Sequence, residues 1–181
     1  MLTLAKWSVE DYHAMIEVGI LSDRCVELLA GEIIEMSPEG PLHTYTVTES
    51  VKYLRSVLDG FAEVREAHPI TLSNSEPEPD LTIVKLPNSR YKTRHPDPED
   101  IYWLIEIANT TLTRDLTLKH RIYAQNNIKE YWVVDLKKQQ ITIFREPMGE
   151  FYQQQQVYTQ GAISPLEFPD LQISVHTILQ G

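Results

Sequence analysis

A mixed α/β fold, with a central β-sheet flanked by helices and a strand-rich C-terminal extension, is predicted by three stretches of this 181-residue chain. The run Ile101–Ala108 (Ile-Tyr-Trp-Leu-Ile-Glu-Ile-Ala) is β-branched, aromatic and apolar on both faces, which marks a central strand covered on each side. Helical periodicity follows over Leu112–Gln125. Buried-strand composition then returns at Glu130–Asp135 and opens a strand-rich end.

The other elements follow in order. Ser8, with Asp11 three residues on, forms a capping-box pattern for a short helix that runs to about Val18 and stops at Gly19. Two strand-like runs, Cys25–Leu29 and Glu32–Met36, meet at Ala30-Gly31, the composition of a tight hairpin. The Pro- and Gly-rich stretch Ser37–Pro41 is a loop. A second helix is expected over His43–Leu58, with Tyr45 or Thr44, Val47, Val51, Leu54 and Leu58 at helical spacing and Glu49 on the surface. Ala62–Glu66 and Pro69–Leu72 read as short strands near a sheet edge, where proline is tolerated. Pro77 and Pro79 hold the approach to Asp80 extended, and a strand begins at once. Leu86–Asp100, with three prolines and the basic group Arg90, Lys92, Arg94 and His95, is a long loop of the kind that is often functional or mobile. Beyond Asp135, strands are expected at Ile141–Arg145, Phe151–Tyr158 and Leu171–Ile173, and a short helix at Val175–Leu179.

No repeat or linker divides the chain, so one domain over residues 1–181 is expected, with its core at about 25–145. There is no run of 18 apolar residues to span a membrane, and the N-terminal run lacks a signal peptide's basic start and long apolar core. Cys25 is the single cysteine; it suits a reducing cytoplasm and reads as a packing residue. A net charge of −10 argues against a broad nonspecific nucleic-acid surface. The charge is uneven, however: Lys85–Arg121 holds seven basic residues against five acidic ones, and the remainder nine against twenty-one.

Glu106 is the one carboxylate in the Ile101–Ala108 strand, and an ionised carboxylate there is costly unless it is paired or coordinated. Alternation puts Tyr102, Leu104, Glu106 and Ala108 on one face. On the following helix, Leu116, Leu118, Ile122 and Tyr123 share an arc of about 160° that also contains Asp115 and Lys119, while Arg114, Thr117, His120, Arg121 and Gln125 take the polar face. A strand glutamate and a helix lysine therefore both point inward. Asp80 and Glu106, offered from neighbouring strands, suit Mg²⁺ or Mn²⁺, hard cations that take oxygen ligands. Such an ion would act on a phosphodiester, Lys119 would serve the attacking water or the developing charge, and Asp115 would hold the lysine. A plain ion pair between Glu106 and Lys119 without metal stays open, as does a helix-start role for His43 against a site-lining one.

These residues carry a resemblance. Pro79-Asp80 followed by a strand with Glu106-x-Ala108 is similar to the signature of the PD-(D/E)XK nuclease superfamily. Glu27-Leu-Leu-Ala-Gly-Glu32, Glu78-Pro-Asp80, Ile105-Glu106-Ile-Ala, Asp115-x-x-x-Lys119-x-x-x-Tyr123 and Glu130-Tyr-Trp-Val-Val-Asp135 together resemble the Uma-type restriction-endonuclease-like proteins. The resemblance implies a restriction-endonuclease-like fold and DNA as substrate. It also implies catalytic Asp80, Glu106 and Lys119, supporting Asp115, Tyr123 and His43, and a homodimer, for which Phe144, Phe151, Tyr152 and Tyr158 offer aromatic surface. Ala108 stands where the superfamily's lysine would be, so Lys119 would replace it from the helix. Two rivals remain: a catalytically idle interaction module with the same fold, and a hydrolase of small phosphorylated molecules, which lacks a phosphate-cradling glycine motif.

Overall fold

The computed structural model describes residues 4–180; the first three residues of the N-terminal run, and Gly181, lie outside them. Ser8 and Asp11 close the expected capping box on α1 (Val9–Glu17). The hairpin β1 (Val26–Leu29) and β2 (Glu32–Glu35) turns at Ala30 and Gly31, whose φ angles of 49° and 76° are the paired left-handed values that a tight antiparallel turn requires. Next come α2 (Pro41–Val57), β3 (Glu63–Glu66), β4 (Leu81–Val84) and β5 (Ile101–Ala108). A crossover helix follows as α3 (Leu112–Arg114), a π-turn over Asp115–Lys119, and α4 (His120–Gln125). The chain continues through β6 (Glu130–Asp135), β7 (Gln140–Met148), β8 (Phe151–Tyr158), β9 (Ala162–Ile163), β10 (Ile173–Ser174) and α5 (Val175–Gln180).

Six strands form one mixed sheet in the order β3-β4-β5-β6-β7-β8, antiparallel except for the β5–β6 pair. A parallel pair needs a crossover, and α3–α4 supplies it, so this helix begins where β5 ends. One face carries Trp103, Ile105, Ile107, Trp132 and Val134 under α2 and α5; the other carries Leu104, Ala108, Tyr131 and Val133 under α4. The Trp103 and Trp132 rings stack 5.7 Å apart and are wholly buried.

The sequence reading needs several corrections here. Pro69–Leu72 is not a strand: its amides bond to carbonyls of Pro77, Pro96 and Ser75, so a loop buries Ile70 and Leu72. Tyr102 leaves the Glu106 face because a β-bulge shifts the register beside it, and its ring meets Phe168 at 5.1 Å. Cys25 is exposed at the start of the hairpin, not packed. On α2, Tyr45 is exposed, and Thr46 and Ser50 take inner positions beside Val47, Val51 and Leu54. Phe144 and Tyr152 are buried against His120 and one another, so Phe151 alone of the four C-terminal aromatics is fully displayed. The Leu86–Asp100 loop is pinned. Buried Asp100 receives Arg90 at 3.1 Å and Arg94 at 2.5 Å, and the Tyr91 hydroxyl donates to the Lys85 carbonyl at 2.8 Å.

Glu130 is a structural hub. Its Oε1 accepts from Trp132 Nε1 at 2.7 Å and Arg145 Nη2 at 2.8 Å, and its Oε2 accepts from the Leu166 amide at 2.7 Å. Removing one partner of a buried ion pair costs about 3–5 kcal/mol. Glu130→Ala should lose that much in urea unfolding, and an unchanged midpoint would contradict the role.

Candidate functional site

β5, β4, the hairpin, the start of α2 and the crossover helix converge on a cleft of about 210 Å³ at the C-terminal end of β5. Glu106 reaches it from the fully covered strand. Its Oε1 accepts from Lys119 Nζ at 2.8 Å and from the Tyr123 hydroxyl at 2.7 Å, while Oε2 takes no hydrogen bond among the described residues. Lys119 is 2% exposed, so helical reasoning placed it correctly. The helix itself differs from the expected regular one. The His120 amide reaches back to the Asp115 carbonyl, an i→i+5 step that widens the turn. Asp115 and Lys119 are both buried on this segment, while Leu116 is 37% exposed. Asp115 Oδ2 accepts from Thr111 Oγ1 at 2.6 Å, and the Asp115 carbonyl accepts from the Tyr131 hydroxyl at 3.2 Å.

Asp80 stands immediately before β4 and caps the neighbouring strand: its Oδ2 accepts from the Ile107 amide at 2.6 Å. The same oxygen lies 3.1 Å from His43 Nε2, and Oδ1 takes no hydrogen bond among the described residues. His43, in the first turn of α2, also lies 3.5 Å from Glu39 through Nδ1. His43 therefore both belongs to the start of α2 and lines the cleft.

Four charged lining residues, Glu27, Glu39, Glu78 and Arg114, are not among the site residues expected from the sequence. Glu27 of β1 is 1% exposed; its Oε2 lies 3.4 Å from Lys119 Nζ and accepts from the Glu78 amide at 3.3 Å, and its Oε1 has no hydrogen-bond partner. A glutamate in a strand shows no period that separates buried from exposed, and only the packing of the hairpin against the crossover helix turns it in. Arg114 was assigned to the polar face, but it lines the cleft 3.7 Å from Glu27, and its buried Nε lacks a partner. Of the seven basic residues between Lys85 and Arg121, Arg114 and Lys119 alone line this cleft. Arg90 and Arg94 of the basic loop pair with Asp100 instead.

Five carboxylates (Glu27, Glu39, Glu78, Asp80 and Glu106) therefore face two permanent cations in the lining. Burial pushes the Glu106 carboxyl up to about 8 against the pull of Lys119, with Asp115 and Asp80 adding to the rise. Burial also raises Asp115, and it raises Glu78 with help from Glu27. Desolvation opposes the Lys119 ammonium, but Glu106, Glu27 and Asp115 outweigh it and hold the lysine protonated. For His43, burial opposes the charge, but the hydrogen bond and charge of Asp80 together with Glu39 and Glu106 outweigh it, and the pKa is raised. The cleft is short of positive charge. Its free carboxylate oxygens are the ligand type a hard divalent cation takes.

Over residues 9–176 the sequence matches the Uma2 family, described as "Putative restriction endonuclease". The chain belongs to the Uma2 family. No curated protein matches it. Among solved structures it is similar to the crystal structure of "a putative nuclease belonging to DUF820" from Anabaena variabilis ATCC 29413. That similarity has a TM-score of 0.66 and 18% identity, and covers 85% of this chain and 89% of the other. At that identity the likeness establishes the fold, a mixed six-stranded sheet with helices on both faces. The buried lysine of this cleft comes from the crossover helix, and Ala108 is packed among apolar neighbours.

Proposed function

We propose that this chain is a metal-dependent endonuclease that hydrolyses DNA phosphodiester bonds. One observation carries the reading: a buried lysine bonded to Glu106 beside Asp80, with each carboxylate keeping one oxygen free toward an electron-rich cleft. Asp80 and Glu106 would hold Mg²⁺ or Mn²⁺ through those oxygens; such an ion, when bound, polarises a phosphoryl oxygen and acidifies water. Lys119 orients the attacking water and offsets charge on the phosphoryl group as it transfers. Tyr123 and Glu27 fix the ammonium and its glutamate, and Asp115 keeps the widened turn in place. Arg114, whose buried Nε has no hydrogen-bond partner and whose Nη1 lies 3.7 Å from Glu27, would grip a phosphate of the strand at the cleft wall. The surplus of carboxylates repels the DNA backbone, so productive binding requires the cation.

No helix among the described residues is long and apolar enough to cross a membrane, and the proposed setting is the cytoplasm. The proposed working unit is a homodimer with one cleft for each DNA strand, and a light-scattering mass of 20.9 kDa at micromolar concentration would count against it. Supercoiled plasmid incubated with the protein and Mg²⁺ or Mn²⁺ should be nicked, and Asp80→Asn should not nick it. Absence of cleavage on every DNA and RNA form would end the enzymatic reading.

A second reading rests on the bonds Glu106 already makes to Lys119 and Tyr123, which describe a satisfied ion pair in an idle interaction module. Calorimetry separates the two, because the idle module binds no Mn²⁺ through Asp80 and Glu106.

A further inference from the structure

Asp80 has a second set of neighbours besides the β5 strand. Glu39, just before α2, and His43, in its first turn, each bring a donor atom to it, and one atom from each of the three residues lies within 4.8 Å of the other two. An octahedral ion with ligands at ~2.1 Å sets neighbouring donors ~3.0 Å apart and opposite donors ~4.2 Å apart. The His43 Nε2 to Asp80 Oδ2 separation of 3.1 Å falls within that range, while the 3.5 Å approach of Glu39 Oε2 is to the other ring nitrogen, Nδ1, and an imidazole gives only one nitrogen to a given ion. Nδ1 is buried and has no hydrogen-bond partner. A separate sign comes from Glu27, whose wholly buried Oε1 lines the same cleft and accepts no hydrogen bond, its charge met only by Arg114 Nη1 at 3.7 Å. The cleft thus holds more acceptors than its own donors satisfy, at a point where an imidazole is also present.

We infer that Glu39, His43 and Asp80 form a nitrogen-containing cation position, adjoining the Asp80–Glu106 pair and sharing Asp80 with it, that takes a first-row transition dication in preference to Mg²⁺. Imidazole nitrogen suits Fe²⁺, Ni²⁺, Cu²⁺ and Zn²⁺, and affinity for such a site climbs from Mn²⁺ to Cu²⁺ before falling at Zn²⁺, whereas Mg²⁺ takes oxygen ligands and keeps much of its water. The inference rests on the proposed function only in treating the cleft as a cation site. His43 is held by the first turn of a 17-residue helix, so the imidazole is already in place before an ion arrives.

Metal-stripped full-length protein titrated with Mn²⁺, Ni²⁺ and Mg²⁺ by calorimetry tests this, with pulsed EPR of the Mn²⁺ form as a direct probe. Wild type should bind Ni²⁺ and Mn²⁺ more tightly than Mg²⁺, and its Mn²⁺ spectrum should show coupling to an imidazole nitrogen. His43→Ala should abolish that coupling and weaken Ni²⁺ binding by about tenfold or more, leaving Mg²⁺ binding within about twofold. Glu39→Gln, at a half-exposed residue, should weaken Ni²⁺ in the same direction. Absence of nitrogen coupling in wild type, or coupling that survives His43→Ala, overturns the assignment. Plasmid nicking without nitrogen coupling would remove this position and leave the nuclease standing. Nitrogen coupling without nicking would do the reverse.

Discussion

Lys119→Ala should cut plasmid nicking by about 10²–10³-fold, the usual cost of removing one preorganised donor from a phosphoryl- or acyl-transfer site. Divalent cation binding should persist or tighten in the same variant, because the substitution deletes a positive charge 2.8 Å from a proposed ligand. The split between turnover and binding is what distinguishes a lysine that serves water and phosphate from one that merely builds the pocket. Folding will also suffer. The change leaves Glu106 and Glu27 buried without their ammonium, and breaking a buried pair costs about 3–5 kcal/mol. Activity should therefore be compared at a temperature where circular dichroism shows the variant folded. A folded Lys119→Ala protein that nicks at the wild-type rate would remove Lys119 from the mechanism and leave the ion-pair reading.

Glu106→Gln should abolish Mg²⁺ binding in calorimetry and nicking with it, since an amide supplies neither the charge nor the second anionic oxygen. Its signature extends to pH. In the folded protein, burial holds the Glu106 carboxyl at about 8, well above the ordinary carboxylate value it regains on unfolding. Between those two values the folded state keeps a proton that the unfolded chain has released, so stability falls as pH rises from about 4.5 to about 8 and then levels. Asp115 and Glu78, raised in the same direction, add to the slope. Urea midpoints across that window should decline for the metal-free wild type and decline less for Glu106→Gln. Cation affinity should rise over the same interval, because binding must displace the proton. A metal affinity unchanged by Glu106→Gln, or a pH slope identical in the two proteins, would show that this carboxylate is not where the ion meets the protein.

Much of the site could be read before any fold was known, and the reason is local periodicity. β5 runs from Ile101 to Ala108 as its composition requires, and its single carboxylate was conspicuous because a doubly covered strand has no ordinary place for one. Lys119 was legible because helical spacing put it among apolar neighbours. Where periodicity is broken, the reading failed. Leu116 is exposed on the π-turn at Asp115–Lys119, and the bulge beside Tyr102 reverses that residue's face. Neither irregularity has a signal in residue type, since each arises from the packing it accommodates. Pro69–Leu72 has strand composition but no strand partner, because its amides are taken by loop carbonyls.

The sequence by itself determined the mixed fold, the order of its central elements, and the inward aim of Glu106 and Lys119. Each of these follows from spacing along one element, where geometry is fixed by a few residues. Only the tertiary structure decided which other groups share the cleft. Glu27 comes from a hairpin 79 positions before Glu106 in the numbering, Glu39 and His43 come from the approach to α2, and Arg114 arrives by way of the crossover helix. No local pattern links those segments. The parallel β5–β6 pair forces a crossover that starts at the end of β5, and the antiparallel β4 starts at that same end, so acids from four separate stretches meet there. Their crowding, not any one motif, leaves the cleft short of positive charge and suited to a cation.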